Sequence, residues 1–463
     1  MDNGNDFRDL PIPEKKKQLF GTNGIRGIAG KDLTPELVFS IGKSLGTLRK
    51  GEVAVGRDTR TSGDMFCHAL KAGLLATGCE VVDCGILPTP ALQYLVRNKY
   101  SAGAMITASH NPPEYNGVKI IEPDGTEMGD AETIRLEELI FNPHEMVVSW
   151  DNVGKENQSP DLIDRYIEGI IHHFPGKPGK GMTVVVDPGS GPACITTPRI
   201  LIELGCRVLT INGIMDGTFP GRLPEPSAEG LKNLSDLVVS SGATFGVAHD
   251  GDADRAVFVD EKGQFIEENL EFAIILKSIC MQKKGIIVTP VSSGQIIEET
   301  AREEGSEVRY TQVGSISVAR TMRSLIESGQ PVIMGGEGNG GLIFPDHQFC
   351  RDGGMTAATM VSLLANSRKK LSELADQLPR RSIIKDKIAT KRGKEILASL
   401  PRQYPDSRID LTDGVKIFHK NAWVLVRASG TEPVIRIIID SKNPSDGAEI
   451  YQNLKSWLDH MIT

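Results

Sequence analysis

Short apolar runs alternate with amphipathic stretches along most of the chain, and the same order of elements occurs three times. In each copy a first predicted strand ends in a turn, at residues 53–55, 184–186 and 286–288. A predicted helix of about 15 residues leads to a second strand beside a glycine, and another helix leads to a third strand. Apolar runs this short, alternating with helices, indicate βαβ units. The pattern therefore predicts three similar α/β domains with mixed, largely parallel sheets.

A different polar loop follows the third predicted strand of each copy. The loops are TASHNP at residues 107–112, HDGDADR at 249–255 and GGEGNGG at 335–341. In open α/β sheets, ligands bind beyond the carboxyl ends of the strands. We therefore expect one site that combines a hydroxyl nucleophile, a carboxylate cluster and a glycine-rich polar loop. The alternative is that these are three unrelated surface turns.

The last part of the chain, from residue 371, has a different pattern. Predicted strands at residues 414–418, 423–426 and 434–438 are joined by short connections, which favours antiparallel pairing, and a helix follows them. This section is predicted to be a smaller α+β domain. The predicted domain bounds are 1–152, 153–256, 257–370 and 371–463.

Length, charge and cysteine content narrow the class of protein. The chain has 463 residues and a net charge of −8, which argues against a nucleic-acid binder because such proteins need a basic face. It contains no apolar run of about 18 residues that could span a membrane, and residues 1–17 lack the apolar segment of a secretory signal. The seven cysteines include no CxxC pair and are interpreted as reduced core residues. We expect a cytoplasmic protein that binds neither nucleic acid nor membranes.

Asp250, Asp252 and Asp254 alternate with small residues in the second loop. Three carboxylates this close repel one another unless a cation lies among them, and hard oxygen ligands suit Mg²⁺ or Ca²⁺ better than zinc. An EF-hand is excluded because its sixth position requires glycine and the chain has Arg255 there. The alternative is a solvated acidic turn.

Ser109 and His110 lie in the first loop, directly after a predicted strand. The chain has no Gly-x-Ser-x-Gly motif around this serine, so acyl transfer is disfavoured. Beside a divalent cation, the serine is better suited to carry a phosphoryl group. Lys119, on the next predicted strand, is a candidate general acid or base with a lowered pKa; the alternative is a surface lysine.

The turn RASGTEP at residues 427–433 offers the donor groups that a phosphate requires. The candidate phosphate-binding residues are Arg427, Ser429, Gly430, Thr431 and Arg436. The alternative is a hairpin turn with incidental arginines. In the glycine-rich loop, Glu337 and Asn339 are candidate contacts to a polyol, since glycines allow close approach.

Together with LFGTNGIRG at residues 19–27, these motifs resemble those of the α-D-phosphohexomutases, in the same order and over nearly the whole chain. That family includes phosphomannomutase/phosphoglucomutase and phosphoglucosamine mutase. The resemblance implies four domains around a central cleft, the last with a TATA-binding-protein-like fold.

The resemblance also implies roles for individual residues. Ser109 would be a phosphoserine in the active enzyme and would hold Mg²⁺ together with the three aspartates. Arg26, Lys119 and His110 would act beside the transferring phosphoryl group. The implied substrate-binding residues are Arg255, Glu337, Asn339, Arg427, Ser429, Gly430, Thr431 and Arg436.

The implied reaction interconverts hexose 6-phosphate and hexose 1-phosphate through a hexose 1,6-bisphosphate, which also serves as activator.

Two loops depart from the family pattern. Residues 339–341 read Asn-Gly-Gly where many members have Ser-Gly-His, and residues 311–315 lack an expected basic residue. Phosphoglucosamine mutase is favoured, with phosphomannomutase/phosphoglucomutase as the alternative. A metal-dependent sugar phosphatase and a non-catalytic sugar-phosphate sensor are the alternatives of other classes, and a monomer and a homodimer both remain open.

Overall fold

The computed structural model describes residues 17–21, 23–143, 147–159, 162–429 and 433–462. In these residues the chain forms four β-sheets of six, five, four and five strands, which follow one another along the sequence. The first three sheets mix parallel and antiparallel pairs, and helices accompany each of them. The prediction of three α/β domains followed by an α+β domain is confirmed.

The first sheet has the strand order β1-β5-β4-β2-β3-β6. Its strands are β1 (Ile25–Ile28), β2 (Glu52–Arg57), β3 (Glu80–Ile86), β4 (Ala102–Ile106), β5 (Tyr115–Ile121) and β6 (Glu156–Gln158). The helices of this section are α1 (Pro35–Leu48), α2 (Gly63–Leu75), α3 (Thr89–Val96) and α4 (Asp130–Phe141).

The second sheet has the order β11-β10-β9-β7-β8. Its section contains α5 (Leu162–Ile171), β7 (Thr183–Asp187), α6 (Thr197–Glu203), β8 (Arg207–Thr210), α7 (Lys232–Ser241), β9 (Phe245–His249), β10 (Ala256–Asp260) and β11 (Phe265–Ile266).

The third sheet has the order β13-β12-β14-β15. Its section contains α8 (Glu268–Gln282), β12 (Ile286–Pro290), α9 (Gln295–Glu303), β13 (Glu307–Thr311), α10 (Ser315–Glu327), β14 (Val332–Glu337), β15 (Gly341–Ile343), α11 (Gly353–Ser367) and α12 (Leu371–Ala375).

The fourth sheet is antiparallel throughout, in the order β16-β20-β19-β18-β17. Its section contains β16 (Ser382–Ala389), α13 (Gly393–Ser399), β17 (Ile409–Asp410), β18 (Val415–Phe418), β19 (Ala422–Ala428), β20 (Val434–Ser441) and α14 (Pro444–Ile462). Leu454 and Leu458 of α14 are buried in the core of this domain, as their helical spacing predicts.

Each of the first three sheets ends its repeat in the same way. The third strand of the repeat is parallel to the first, and the strand after it turns back antiparallel, in the pairs β4/β5, β9/β10 and β14/β15. The three candidate loops are therefore the connections of three equivalent antiparallel pairs. Because the strands β4, β9 and β14 end at their loops, the fold presents all three loops at carboxyl ends of strands.

A continuous hydrophobic core joins the first three domains. One cluster includes Leu92 of the first section, Phe245 of the second and Phe272 of the third. The fourth domain has a core of its own around Ile437. A smaller cluster that contains Val291 and Trp423 packs the fourth domain against the third. The shared core holds the first three loops in a common frame.

Two of the predicted domain boundaries do not coincide with the ends of the β-sheets. The expected division after residue 256 falls at the start of β10, whose partners β9 and β11 belong to the second sheet. The expected division after residue 370 precedes α12, whereas the first strand of the fourth sheet begins at Ser382. We propose from the sheets that the second domain extends through β11 and that the fourth begins near β16.

Two further expectations concern the membrane and the cysteines. Within the described residues, no helix combines the length and the apolarity that crossing a membrane requires. All seven cysteines are free, and five of them are buried. The interpretation of most cysteines as reduced core residues agrees with these positions.

Candidate active site

The serine loop and the aspartate loop meet directly. Ser109 Oγ donates a hydrogen bond of 2.9 Å to Oδ2 of Asp250. A Cβ atom at Gly251 would lie 2.3 Å from the carbonyl oxygen of Ser109, so this contact requires glycine. The loops at the ends of β4 and β9 therefore lie together, as the sequence predicts for a shared site.

Ser109 is held in position by a buried arginine that sequence reasoning missed. Arg60 donates to four carbonyl oxygens of the loop, with N···O distances of 2.6–2.8 Å, at Ser109, Asn111, Pro112 and Tyr115. Its Nε bonds to Asp58, whose carboxylate also accepts from Thr107. Ser109 has a positive φ of 52°, a conformation that a non-glycine residue adopts at a cost. The arginine therefore orders a strained loop around the serine hydroxyl.

The three aspartates form one buried carboxylate cluster. Oxygen atoms of Asp250, Asp252 and Asp254 all lie within 4.8 Å of one another. One oxygen each of Asp252 and Asp254 is buried and lacks a hydrogen-bond partner among the described residues. Burial and the neighbouring carboxylates raise the pKa of Asp250 well above its usual range. Unpaired oxygens and mutual repulsion are what a divalent cation would relieve, so the residues present fit a metal site.

Lys119 lies on β5 and belongs to the same cluster. Its Nζ is 2.8 Å from Oδ2 of Asp252 and 3.3 Å from Oδ2 of Asp254. Burial by itself lowers the pKa of Lys119, but the two carboxylates outweigh it and raise the pKa above its ordinary value. The expectation of a lowered pKa is therefore wrong. With this raised pKa, the Lys119 ammonium group balances part of the charge of the aspartates.

Arg26 and His110 both contact the serine loop. Arg26 donates to Oδ1 of Asn111 at 2.9 Å. His110 Nδ1 is 3.3 Å from Ser109 Oγ and 3.0 Å from the guanidinium of Arg255. Burial, followed by the charges of Arg255 and Arg26, lowers the pKa of His110 to about 2, so its imidazole is neutral near pH 7. The structure thus brings His110 to the serine hydroxyl and Arg26 to the loop that carries it.

The sugar-loop candidates Glu337 and Asn339 lie at and just after the end of β14. Glu337 accepts from Arg351 at 2.8 Å, and the same guanidinium also contacts Asp254. Asn339 Oδ1 accepts from the backbone N–H of Gly341 at 3.2 Å. Ala256, which follows the aspartate loop, donates to the carbonyl of Gly340. The third loop is thus anchored on the second.

The fourth domain contributes a row of cations on its sheet. Arg427 on β19 faces Arg436 on β20, and Arg436 faces Lys387 on β16. Ser429 follows β19, whereas Gly430 and Thr431 lie outside the described residues. Facing residues of antiparallel strands project from the same side of a sheet. The predicted arginines are therefore neighbours, as a phosphate site requires.

Hydrogen bonds link this row to the first domain through the loop at residues 311–315. Arg427 pairs with Asp413 at 2.8 Å, and Asp413 accepts from the backbone N–H of Val313. In the same loop, Ser315 accepts from Asn23, shortly before Arg26 in sequence. The loop at residues 311–315 lacks the expected basic residue. Its neutral groups, the backbone N–H of Val313 and the hydroxyl of Ser315, instead contact the fourth and the first domain.

Sequence reasoning missed four further residues that support the site. Thr89 donates to Asp252 at 2.6 Å, and His249 lies 2.8 Å from the carbonyl of Arg255. Arg351 and Arg60 are the other two. Thr89 and Arg351 contact aspartates 163 and 97 residues away, and Arg60 reaches carbonyl groups 49–55 residues away. The local signal was that Arg60 and Arg351 each lie within two residues of an aspartate.

Comparison with known proteins agrees with this geometry. Models of the phosphoglucomutase/phosphomannomutase family match as α/β/α domain I at residues 17–146, domain II at 164–263, domain III at 268–382 and the C-terminal domain at 382–454. A phosphoglucomutase/phosphomannomutase of Thermococcus kodakarensis is 44% identical, over 93% of this chain and 96% of the relative. The chain belongs to the α-D-phosphohexomutase family.

Other phosphohexomutases support the assignment. A phosphoglucosamine/phosphogalactosamine mutase of Sulfurisphaera tokodaii is 39% identical, over 95% of this chain and 98% of the relative. A crystal structure of a phosphoglucomutase/phosphomannomutase family protein from Burkholderia thailandensis superposes with a TM-score of 0.85, at 26% identity, covering 96% of this chain and 97% of the other. This phosphohexomutase is therefore an enzyme of the isomerase class, with the four-domain α/β fold of its relatives.

Proposed function

We propose that this phosphohexomutase interconverts glucosamine 6-phosphate and glucosamine 1-phosphate by way of phosphorylated Ser109. The observation that carries the mechanism is the contact of Ser109 Oγ with the buried aspartate cluster. A hydroxyl at a divalent-cation site, with a separate row of cations for a second phosphate, suits transfer of phosphoryl groups within one sugar.

The amino-sugar substrate is supported by the charge of the two loops assigned to the sugar. Residues 311–315 and 335–341 contain no Lys, Arg or His. The arginine beside Glu337, Arg351, is neutralised by Glu337 and Asp254. A protonated amino group at sugar C2 favours surroundings with acidic groups and without free cations. The name of the Sulfurisphaera relative points the same way, whereas that of the Thermococcus relative favours mannose and glucose phosphates.

In the proposed reaction, the free hydroxyl of a hexose monophosphate attacks the phosphoryl group on Ser109. A sugar O–P bond forms, the Ser109 Oγ–P bond breaks, and the proton that the sugar hydroxyl loses is taken up by the released Ser109 oxygen. The resulting 1,6-bisphosphate turns over in the site, and its other phosphoryl group returns to Ser109. Two phosphoryl groups are thus exchanged, one from Ser109 to the sugar and the other from the sugar to Ser109, with no net gain or loss of phosphate.

The charged residues are assigned according to their positions. Asp250, Asp252, Asp254 and Ser109 would hold Mg²⁺, which when bound would supply a Lewis acid that neutralises phosphoryl charge. Lys119 and Arg26, both cations, would stabilise the charge that develops on the phosphoryl oxygens. The neutral imidazole of His110, 3.3 Å from Ser109 Oγ, would orient the serine oxygen; with a pKa of about 2 it is too weak a base to hold a proton near pH 7.

The remaining predicted residues are assigned to substrate. Arg255, beside His110, would contact the reacting end, and Glu337 and Asn339 would bind sugar hydroxyls. The phosphate that does not react would be held by the row on the fourth domain, at Arg427, Ser429, Gly430, Thr431 and Arg436. We propose a cytoplasmic location for this metabolic enzyme.

A metal-dependent phosphatase is the competing reaction class. A hydrolase would transfer the phosphoryl group from Ser109 to water and would have no use for a second phosphate site. The pairing of Arg427 with Arg436 across β19 and β20 therefore speaks for the mutase. The presence of Ser109 and of all three aspartates argues against a non-catalytic sensor, because a sensor would need neither.

Measurement of kcat/KM tests the proposal, with Mg²⁺ and a trace of hexose 1,6-bisphosphate present. Glucosamine 6-phosphate, mannose 6-phosphate and glucose 6-phosphate are compared as substrates. We expect a preference for the amino sugar of at least about tenfold, or roughly 1.4 kcal/mol of transition-state discrimination. A kcat/KM on mannose or glucose 6-phosphate that equals or exceeds that on glucosamine 6-phosphate would contradict the substrate assignment, and release of inorganic phosphate without isomer would contradict the mutase.

A further inference from the structure

Arg351 joins two functional loops that belong to different sheets. One of its guanidinium nitrogens is 2.8 Å from Oε2 of Glu337, and another donates to Oδ2 of Asp254. All three residues are buried, with relative exposures of 3%, 7% and 2%. A planar guanidinium can bind two carboxylates at once in a fixed geometry. Arg351 therefore sets the separation and orientation of an aspartate of the metal cluster and a glutamate of the sugar loop.

The backbone that carries Arg351 is fixed on both sides. Residue 351 bridges Ile343 at the end of β15. The next residue, Asp352, is the N-cap of α11 and accepts from the backbone N–H of Met355 and from the hydroxyl of Tyr166. Because these contacts hold the main chain, the position of the guanidinium depends on the space open to the side chain.

Gly341 provides that space. A Cβ atom at position 341 would lie 2.3 Å from Cδ and 3.1 Å from Cγ of Arg351. The φ angle of Gly341 is not in the left-handed region, so backbone conformation does not call for glycine here. The requirement is steric, and any side chain at 341 competes with the present position of Arg351.

We propose that Arg351 is a positioning residue that couples metal binding to sugar binding, and that Gly341 is required to make room for it. The inference rests on the proposed roles of Asp254 and Glu337. When Arg351 is removed, Asp254 is left with Lys119 as its nearest cation and Glu337 is free to rotate. Both the metal affinity and the affinity for hexose phosphate then fall, although Arg351 touches neither ligand.

The test compares Arg351→Met, Gly341→Ala and the double variant with the wild type. Binding of Mn²⁺, as a spectroscopic substitute for Mg²⁺, is measured on the purified enzyme by electron paramagnetic resonance, and KM and kcat are measured separately. We expect Arg351→Met to raise the Mn²⁺ Kd by about 10–100-fold, the usual effect of removing a group that orients a metal ligand. KM for hexose phosphate is expected to rise as well.

The double variant tests the steric part of the proposal. Gly341→Ala is expected to weaken Mn²⁺ binding because it displaces Arg351, and to add nothing once Arg351 is gone. Contacting residues show such non-additive effects, whereas independent ones add. Fully additive losses, or a Gly341→Ala enzyme with wild-type Mn²⁺ affinity and KM, would overturn the role of Gly341.

Arg49 offers a matched control. It also bridges two carboxylates, those of Glu122 and Glu132, at N···O distances of 3.0 and 2.9 Å, but in the first domain and outside the site. We expect Arg49→Met to lower Tm while Mn²⁺ affinity and KM stay at wild-type values. If Arg351→Met behaves like Arg49→Met, the bridge is structural only and the proposal is wrong.

The Mn²⁺ measurement does not depend on the identity of the substrate. If the wild-type enzyme binds Mn²⁺ but turns over no hexose phosphate, the proposed function fails while the effect of Arg351 on the metal site is still measured. If turnover is normal but Arg351→Met changes neither Kd nor KM, the positioning role alone fails.

Discussion

Ser109 Oγ donates a hydrogen bond of 2.9 Å to Oδ2 of Asp250, although 141 residues separate the two in sequence. The serine follows β4 of the first sheet and the aspartate follows β9 of the second. A hydrophobic core shared by the first three domains fixes the positions of these two strand ends relative to each other. The contact therefore depends on how two domains pack and on neither loop alone.

Replacing Ser109 with alanine is expected to abolish mutase activity while the fold is retained. The hydroxyl is the only group at this position that can carry the phosphoryl, and its removal leaves Asp250 without that donor. Activity is measured with added hexose 1,6-bisphosphate, and folding by circular dichroism. Ser44→Ala is the control, because Ser44 is also a buried serine of the first domain, on α1. Turnover near the wild-type rate in Ser109→Ala would exclude the phosphoserine mechanism.

Asp250→Asn is expected to remove the stabilisation that Mg²⁺ gives the wild type. Three buried carboxylates repel one another, so the variant should unfold at an equal or higher temperature than the wild type in chelator. With Mg²⁺ only the wild type should gain stability, since a bound ligand stabilises by RT ln(1 + [L]/Kd). The measurement is thermal unfolding with EDTA and with Mg²⁺. Asp260→Asn, a buried aspartate that caps a turn in the same sheet, serves as control and should keep the Mg²⁺ response.

Lys119→Met is expected to lower kcat by about 10²-fold or more, the size of the effect expected when a charged group that stabilises the transition state is lost. The variant should also be less stable in chelator, because Asp252 and Asp254 lose the ammonium group of Lys119, and Mg²⁺ should recover much of that loss. Lys71→Met is a matched control. Lys71 bridges Asp83 and Glu156 at 2.9 and 2.7 Å, away from the site. A kcat for Lys119→Met no lower than that of Lys71→Met would argue against the catalytic assignment.

Arg427→Met is expected to raise KM for hexose phosphate by about tenfold, since a charge-assisted hydrogen bond contributes roughly 1.5–3 kcal/mol. The effect on kcat should be smaller if the arginine holds the phosphate that does not react. Arg408→Met is the control, because Arg408 stacks on Phe418 of the same domain at 4.5 Å and is not assigned to substrate. Steady-state kinetics distinguish the two variants, and identical KM values for both would remove Arg427 from the site.

Lys416 is expected to make the stability of the fourth domain depend on pH. Its Nζ lies 4.0 Å from the ring centre of Trp423 and donates to the carbonyl of Val291 in the third domain. Burial lowers the pKa of Lys416 from 10.5 to about 8. Between these values the unfolded chain binds more protons, so the folded state gains stability as the pH rises from about 8 to 10.5.

The measurement is thermal unfolding of the wild type and Lys416→Met at several pH values from 7 to 10. Methionine cannot titrate, so the stability of the wild type relative to the variant should increase with pH across this window. Lys420→Met, at an exposed lysine nearby, should show no such trend relative to the wild type. A constant difference between the wild type and Lys416→Met from pH 7 to 10 would show that Lys416 does not titrate in this range.

Much of the site could be predicted from sequence because its motifs are local. The loops that contain Ser109 and Asp250 each follow a short apolar strand, and strand ends gather ligands in α/β sheets. The sequence also shows that residue 341 is glycine where many family members have histidine, but it does not show the physical reason for the glycine. Only the folded chain shows that Arg351, ten residues later, occupies the space beside it.

The sequence by itself determined the three α/β repeats, the antiparallel last domain, and the serine and aspartates that we propose as nucleophile and metal ligands. Periodicity, turn residues and clustered aspartates are properties of neighbouring residues, so they can be read before folding. The tertiary structure decided that Lys119 keeps its charge, that Arg60 orders the serine loop and that Glu337 is paired with Arg351. A side chain's charge state and partners depend on groups within a few ångströms, and folding brings those groups together from distant parts of the chain.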